Sequence, residues 1–158
     1  MKKNVTKKTG EIAALYGVLS NAKYTNLEDA DKIRLWKIAR VMKPIAIQFE
    51  DDKQSAAKDL VPYENFAEDV DKAREYESSV TKPDCDASKL PIGAAEYDKI
   101  VKAVNNYNKL IAEAVKEYGE KEVKIEFEPL TEDAFAKLMS GNDWSIGVAS
   151  EIGDLISE

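Results

Sequence analysis

A chain of 158 residues with 44% apolar and 34% charged residues is long enough to bury a core and belongs among globular proteins with well-solvated surfaces. Thirty acidic residues against twenty-three basic ones give a net charge of −7, which argues against a general affinity for nucleic-acid phosphates. The single cysteine excludes an intrachain disulfide, and the absence of histidine removes the commonest general base, the commonest metal ligand and every histidine-containing triad.

Residues 1–8 carry Lys2, Lys3, Lys7 and Lys8 without an acid and read as a basic, flexible arm. From Thr9 the apolar residues Ile12, Leu15, Tyr16 and Leu19 recur at helical spacing, predicting a first helix that ends near Ser20 and Asn21. Asn26 offers a cap, with Glu28 and Asp29 in the following turn, so a second and longer helix is expected to start there. Within it Leu35, Ile38, Met42, Ile45 and Phe49 alternate steps of three and four, which puts a continuous seam on one side. Pro44 falls inside this helix, where the missing donor and the ring's clash with the preceding turn predict a kink or a break.

Tyr63, Phe66, Val70 and Ala73 predict a third helix from about Tyr63 to Ser78 with an acidic outer face. The stretch 81–93 contains Pro83, Pro91, Asp84, Asp86 and Gly93 and reads as the main exposed connection. A fourth helix follows, with Tyr97, Val101, Val104, Ile111, Val115 and Tyr118 on one seam and Gly119 as its stop. Val123, Ile125 and Phe127 then alternate with Lys124, Glu126 and Glu128 as a half-buried strand that Pro129 ends. Thr131 is placed to cap a short helix closed by Gly141, with Leu130 and Phe135 as a hydrophobic staple. The last segment fits a helix from about Ser145 to Ile156, although Trp144, Ile146 and Val148 also alternate like a strand.

These elements define a mainly α fold, an antiparallel helical bundle or long helical hairpin with a small β element near the C-terminus. One domain is expected over 1–158: the basic arm 1–8, a helical part 9–119, and a part with a strand and short helices over 120–158. A single strand cannot satisfy its own backbone, so either Trp144 to Val148 or another subunit must pair with residues 123–127.

The candidate reactive groups each have a plainer reading. Asp84 and Asp86 flank Cys85, and nearby negative charge disfavours the reactive thiolate, leaving an incidental loop thiol. Asp84, Asp86 and Ser88 match the start of a calcium loop, but Lys89 stands in place of the required glycine and Ala95 in place of the bidentate glutamate. Turn-forming aspartates are the simpler account. The clusters Glu50-Asp51-Asp52 and Glu68-Asp69-Val70-Asp71 read as solvated helix faces in the absence of a ligand motif.

Arg34, Lys37, Arg40 and Lys43 form a basic run on the second helix, opposite in sign to the molecule as a whole. It reads either as a solvated face bridged to Glu28, Asp29 and Asp31, or as a docking patch that suits an acidic protein for binding copies of itself. Trp36 and Trp144 read as packing residues, and as interface anchors wherever they are exposed. No catalytic, cofactor-binding or metal-binding residue is assigned.

The run Thr9-Gly10-Glu11-Ile12-Ala13-Ala14-Leu15-Tyr16-Gly17-Val18-Leu19, followed by Leu27 to Lys32 and by Trp36 to Pro44, resembles the opening of small uncharacterised helical proteins of tailed bacteriophages and prophages. The resemblance implies a phage context and carries no catalytic residues.

The expected function is therefore non-enzymatic: a structural or assembly protein acting through protein–protein contacts, as a virion or morphogenesis component. Its partners would be copies of itself or virion proteins, with nucleic acid confined to the basic arm. The alternative is an acidic nucleic-acid-mimicking inhibitor of a host DNA-binding protein, and a carboxylate-dependent enzyme comes third. No window approaches the roughly 18 apolar residues that a membrane span needs, so no membrane role is expected. The expected location is the bacterial cytoplasm of the host, or the virion.

Overall fold

In the computed structural model, which describes residues 1–158, the fold is mainly helical, a helical bundle with a small two-stranded sheet. Strand β1 (Lys3–Lys8) leads into α1 (Thr9–Ser20), α2 (Asp29–Asp59), α3 (Phe66–Val80) and α4 (Ala94–Glu120), followed by β2 (Glu122–Phe127), α5 (Glu132–Ser140) and α6 (Ile146–Ile156). The residues group into two compact units, the first comprising Met1–Asp52 with Glu117–Glu158 and the second Lys53–Lys116. Helices α2 and α4 each supply residues to both units.

The basic arm is a strand. It runs antiparallel to β2, with Lys3 opposite Phe127, Val5 opposite Ile125 and Lys7 opposite Val123. This answers the backbone problem of the lone strand with neither Trp144–Val148 nor a second subunit, and places the β element between both terminal segments instead of near the C-terminus alone. The physical reason is period two: Lys3, Val5 and Lys7 share the half-buried face, while Asn4, Thr6 and Lys8 face water. Lys3 reaches over the end of α6, its Nζ donating to the carbonyls of Asp154 (2.8 Å) and Ser157 (2.7 Å). A cation thus meets the otherwise unpaired carbonyls of a helix C-terminus.

The first unit is built around the stripe predicted for α1. Ile12, Leu15 and Leu19 pack with Leu35, Ile38 and Met42 of α2, Ile125 and Phe127 of β2, Leu130, Leu138 of α5, and Ile152, Leu155 and Ile156 of α6. Gly10 and Gly119 let the start of α1 and the end of α4 approach closely: a Cβ on Gly10 would stand 3.4 Å from the Gly119 Cα. The chain end returns to Leu130, whose amide donates to Ile156 (2.8 Å) and whose carbonyl accepts from Glu158 (2.9 Å).

One expectation about α2 is corrected, and of the kink or break expected at Pro44 the break is excluded. The helix begins at Asp29, not at Asn26, because Leu27 turns into the core and Glu28 supplies the first accepting carbonyl, to Asp31 and Lys32. It also runs unbroken through Pro44. Pro44 is exposed, while Ile38, Met42 and Ile45 hold the opposite side against the core, so the missing donor falls on the solvent side of the helix.

The second unit has a smaller core, Ala73, Ile92 and Ile100, with Tyr76, Tyr97 and Val104 around it. Tyr76 and Tyr97 stack with ring centroids 4.7 Å apart, and Phe66 contacts the rings of Tyr63 (5.6 Å) and Tyr107 (5.2 Å). The Tyr107 hydroxyl donates to the carbonyl of Ala57. Helix α3 starts at Phe66, leaving Tyr63 in the preceding turn, where its hydroxyl donates to Asp69 (2.9 Å).

Candidate interaction surface

Helix α2 has two apolar sides. Leu35, Ile38 and Met42 are buried, whereas Ile33, Trp36 and Ile47 remain 56%, 57% and 48% exposed. The three exposed residues lie at i, i+3 and i+14, so with 3.6 residues per turn they share one stripe, and Arg40 and Pro44 fall within it. Isolated exposed apolar residues are ordinary, but three aligned along four turns of one helix form a patch.

Beside this stripe lies an open groove of about 760 Å³, lined by Tyr16 of α1 and by Trp36, Arg40, Lys43, Pro44 and Ile47 of α2. The Arg40 guanidinium sits over the Trp36 ring, 5.2 Å from its centroid. That cation–π contact holds the indole in place at the surface and leaves the remaining guanidinium donors free to face a partner.

The basic run therefore divides. Arg34 is drawn aside into ion pairs with Asp31 and Glu128, each at 3.1 Å, while Asp29 pairs with Lys32 and Glu28 with Lys137. Lys37, Arg40 and Lys43 pair with none of the three acids expected to bridge them and remain exposed. The two tryptophans also divide: Trp144 is half-buried against the first core, and Trp36 is the exposed one.

The other candidate residues stay apart. Cys85 is exposed in the connection between α3 and α4. Asp86 forms an Asx turn, accepting from the amide (3.0 Å) and hydroxyl (2.7 Å) of Ser88, and these bonds hold its carboxyl below the usual range. Nowhere do three or more acidic or cysteine side chains converge as a metal site would require. Asp69 is occupied by Tyr63, and Asp71 lies 3.7 Å from Arg74. No helix is long and apolar enough to cross a membrane.

The sequence pattern contained the outward stripe but did not single it out. Ile33 and Ile47 flank Lys37, Arg40 and Lys43, and the longer apolar seam on the other side dominates the pattern. The usable signal was a second apolar repeat, offset from the first by about half a turn. Comparison with protein-family models, with characterised proteins and with solved structures finds no significant match to this chain.

Proposed function

We propose that this protein is a non-enzymatic structural or assembly component that works by docking to other proteins. The observation that carries the reading is the second face of α2, where Ile33, Trp36 and Ile47 stand exposed beside three cations that α2's neighbouring acids leave unpaired. Aromatic and arginine side chains on a surface are the residues that most often dominate protein interfaces. A bacteriophage setting, as virion or morphogenesis component, is part of the proposal and rests on the resemblance of residues 9–44.

The same face weighs against the nucleic-acid-mimicking inhibitor. Such an inhibitor must present carboxylates in place of phosphates, and α2 presents a hydrophobic stripe with the opposite charge. The reading is tested by fractionating producing cells and the particles they release, then following the chain in each fraction. Recovery in stoichiometric complexes or in particles supports it; recovery only as free monomer in every fraction overturns it.

A further inference from the structure

The proposed function leaves the occupant of the α2 face open, and the charges around it narrow the choice. Lys37, Arg40 and Lys43 are spaced over six residues, about 9 Å of helix. Paired with itself this face would offer its cations no counter-charge, since no carboxylate lines its groove. The occupant must instead be acidic, and the chain carries a suitable surface.

On α3, Glu68, Asp71 and Glu75 are exposed at i, i+3 and i+7, which aligns them on one stripe about 10 Å long. Asp71 has only a loose, fully solvated contact with Arg74, at 3.7 Å with both side chains more than three-quarters exposed. The acidic stripe and the row of cations thus agree in length and oppose in sign. Resting on the assembly reading, we propose that the outward face of α2 docks the Glu68–Asp71–Glu75 stripe of a second copy of this chain.

Ile33, Trp36 and Ile47 exclude water around the resulting ion pairs, which strengthens them relative to solvated ones. Patch and counter-patch are different surfaces, so two copies can exchange them reciprocally and close as a dimer, or pass them on from copy to copy into a ring or filament.

Sedimentation of the full chain over a concentration series tests this. The wild type is expected to self-associate as concentration rises. Arg40→Glu/Lys43→Glu and, separately, Glu68→Lys/Glu75→Lys are each expected to weaken association at least tenfold with unchanged circular dichroism, since all four side chains are exposed. An equimolar mixture of the two variants restores it, because the reversed α2 face of one meets the reversed α3 stripe of the other. A wild type that stays monomeric, or associates undiminished after either reversal, overturns the inference, as does a mixture that fails to recover. None of those results touches the assembly reading, which is decided by what co-fractionates with the chain.

Discussion

Val5 stands directly opposite Ile125 in the antiparallel pair formed by β1 and β2, so the N-terminal lysine-rich segment is a structural part of the first unit. Val5 is half-buried and Ile125 is 4% exposed. Val5→Asp puts a carboxylate on the inward face beside a buried isoleucine and is expected to destabilise the unit by about 1–3 kcal/mol, read from urea unfolding. Ile125→Ala is expected to cost about 2–4 kcal/mol through the cavity it leaves. Trypsin supplies an independent check: a paired strand protects Lys7 and Lys8 in the native protein, whereas rapid loss of residues 1–8 would show that the strand does not hold.

The element types were largely legible, and the exceptions have a common cause. Helices α1, α4, α5 and α6 follow from periodicity and caps, with Thr131 accepting from Ala134 (3.2 Å) and Ser145 from Val148 (3.3 Å) as local chemistry dictates. The strand β1 was not, because Val5 is the only apolar residue in it and its alternation is completed by Lys3 and Lys7, whose stems lie on the inward face. Its stability comes from a partner more than a hundred residues away, which local patterning cannot register. Of the kink or break expected at Pro44 the break is absent for a similar reason: the rule that proline ends a helix is local, and the tertiary packing of Ile38, Met42 and Ile45 carries the helix through. For the interaction surface the residues were visible singly, as Trp36 and the basic run, but their shared side with Ile33 and Ile47 needed the helix to be continuous.

Two helical glycines should respond oppositely to alanine. Gly153 of α6 lies against Phe135, and a Cβ there would be 3.0 Å from Cε1 and 3.2 Å from Cζ of the ring. Gly153→Ala forces the ring to move inside a packed region and is expected to destabilise by about 1–2 kcal/mol despite alanine's better helix propensity. Gly17 of α1 has nothing within 4 Å of its Cβ position, so Gly17→Ala should stabilise by about 0.5–1 kcal/mol. Thermal unfolding of the two variants side by side checks both signs.

The second unit should lose stability at alkaline pH through two tyrosines. Desolvation raises the Tyr63 hydroxyl above its ordinary value, helped by its hydrogen bond to Asp69; desolvation likewise raises Tyr97, with Glu77 adding to it. In both cases folding favours the neutral phenol. The contribution is fully present below the unfolded tyrosine pKa, about 10, and is lost as pH rises through the higher folded value. Phenolate absorbance is expected to show two late-titrating groups, one vanishing in Tyr63→Phe and the other in Tyr97→Phe. Titration of all tyrosines together at the ordinary value would refute the assignment.

Asn142 ties the turn after α1 to the end of α5 with three bonds from one side chain. Its Oδ1 accepts from the Lys23 amide, and its Nδ2 donates to the carbonyls of Lys23 and Leu138, all at 2.8 Å. Asn142→Ala leaves the Lys23 amide and two carbonyls to water where they can reach it, at a cost of about 1–3 kcal/mol. Asn142→Asp separates donor from acceptor. It keeps the bond from the Lys23 amide, but at neutral pH it aims a charged oxygen at two carbonyl oxygens. That repulsion disfavours the ionised form, so the new carboxyl should titrate above its unfolded value. A folded pKa raised in this way gives a contribution that is present at low pH, where the protonated carboxyl can again donate, and lost as pH rises through the folded value. The aspartate variant is therefore expected to be at least as unstable as the alanine variant at pH 7 and to regain ground on it as pH falls toward 4. Urea midpoints measured at the two pH values decide the matter, and an aspartate variant with wild-type stability at pH 7 would mean that the donated bonds contribute nothing.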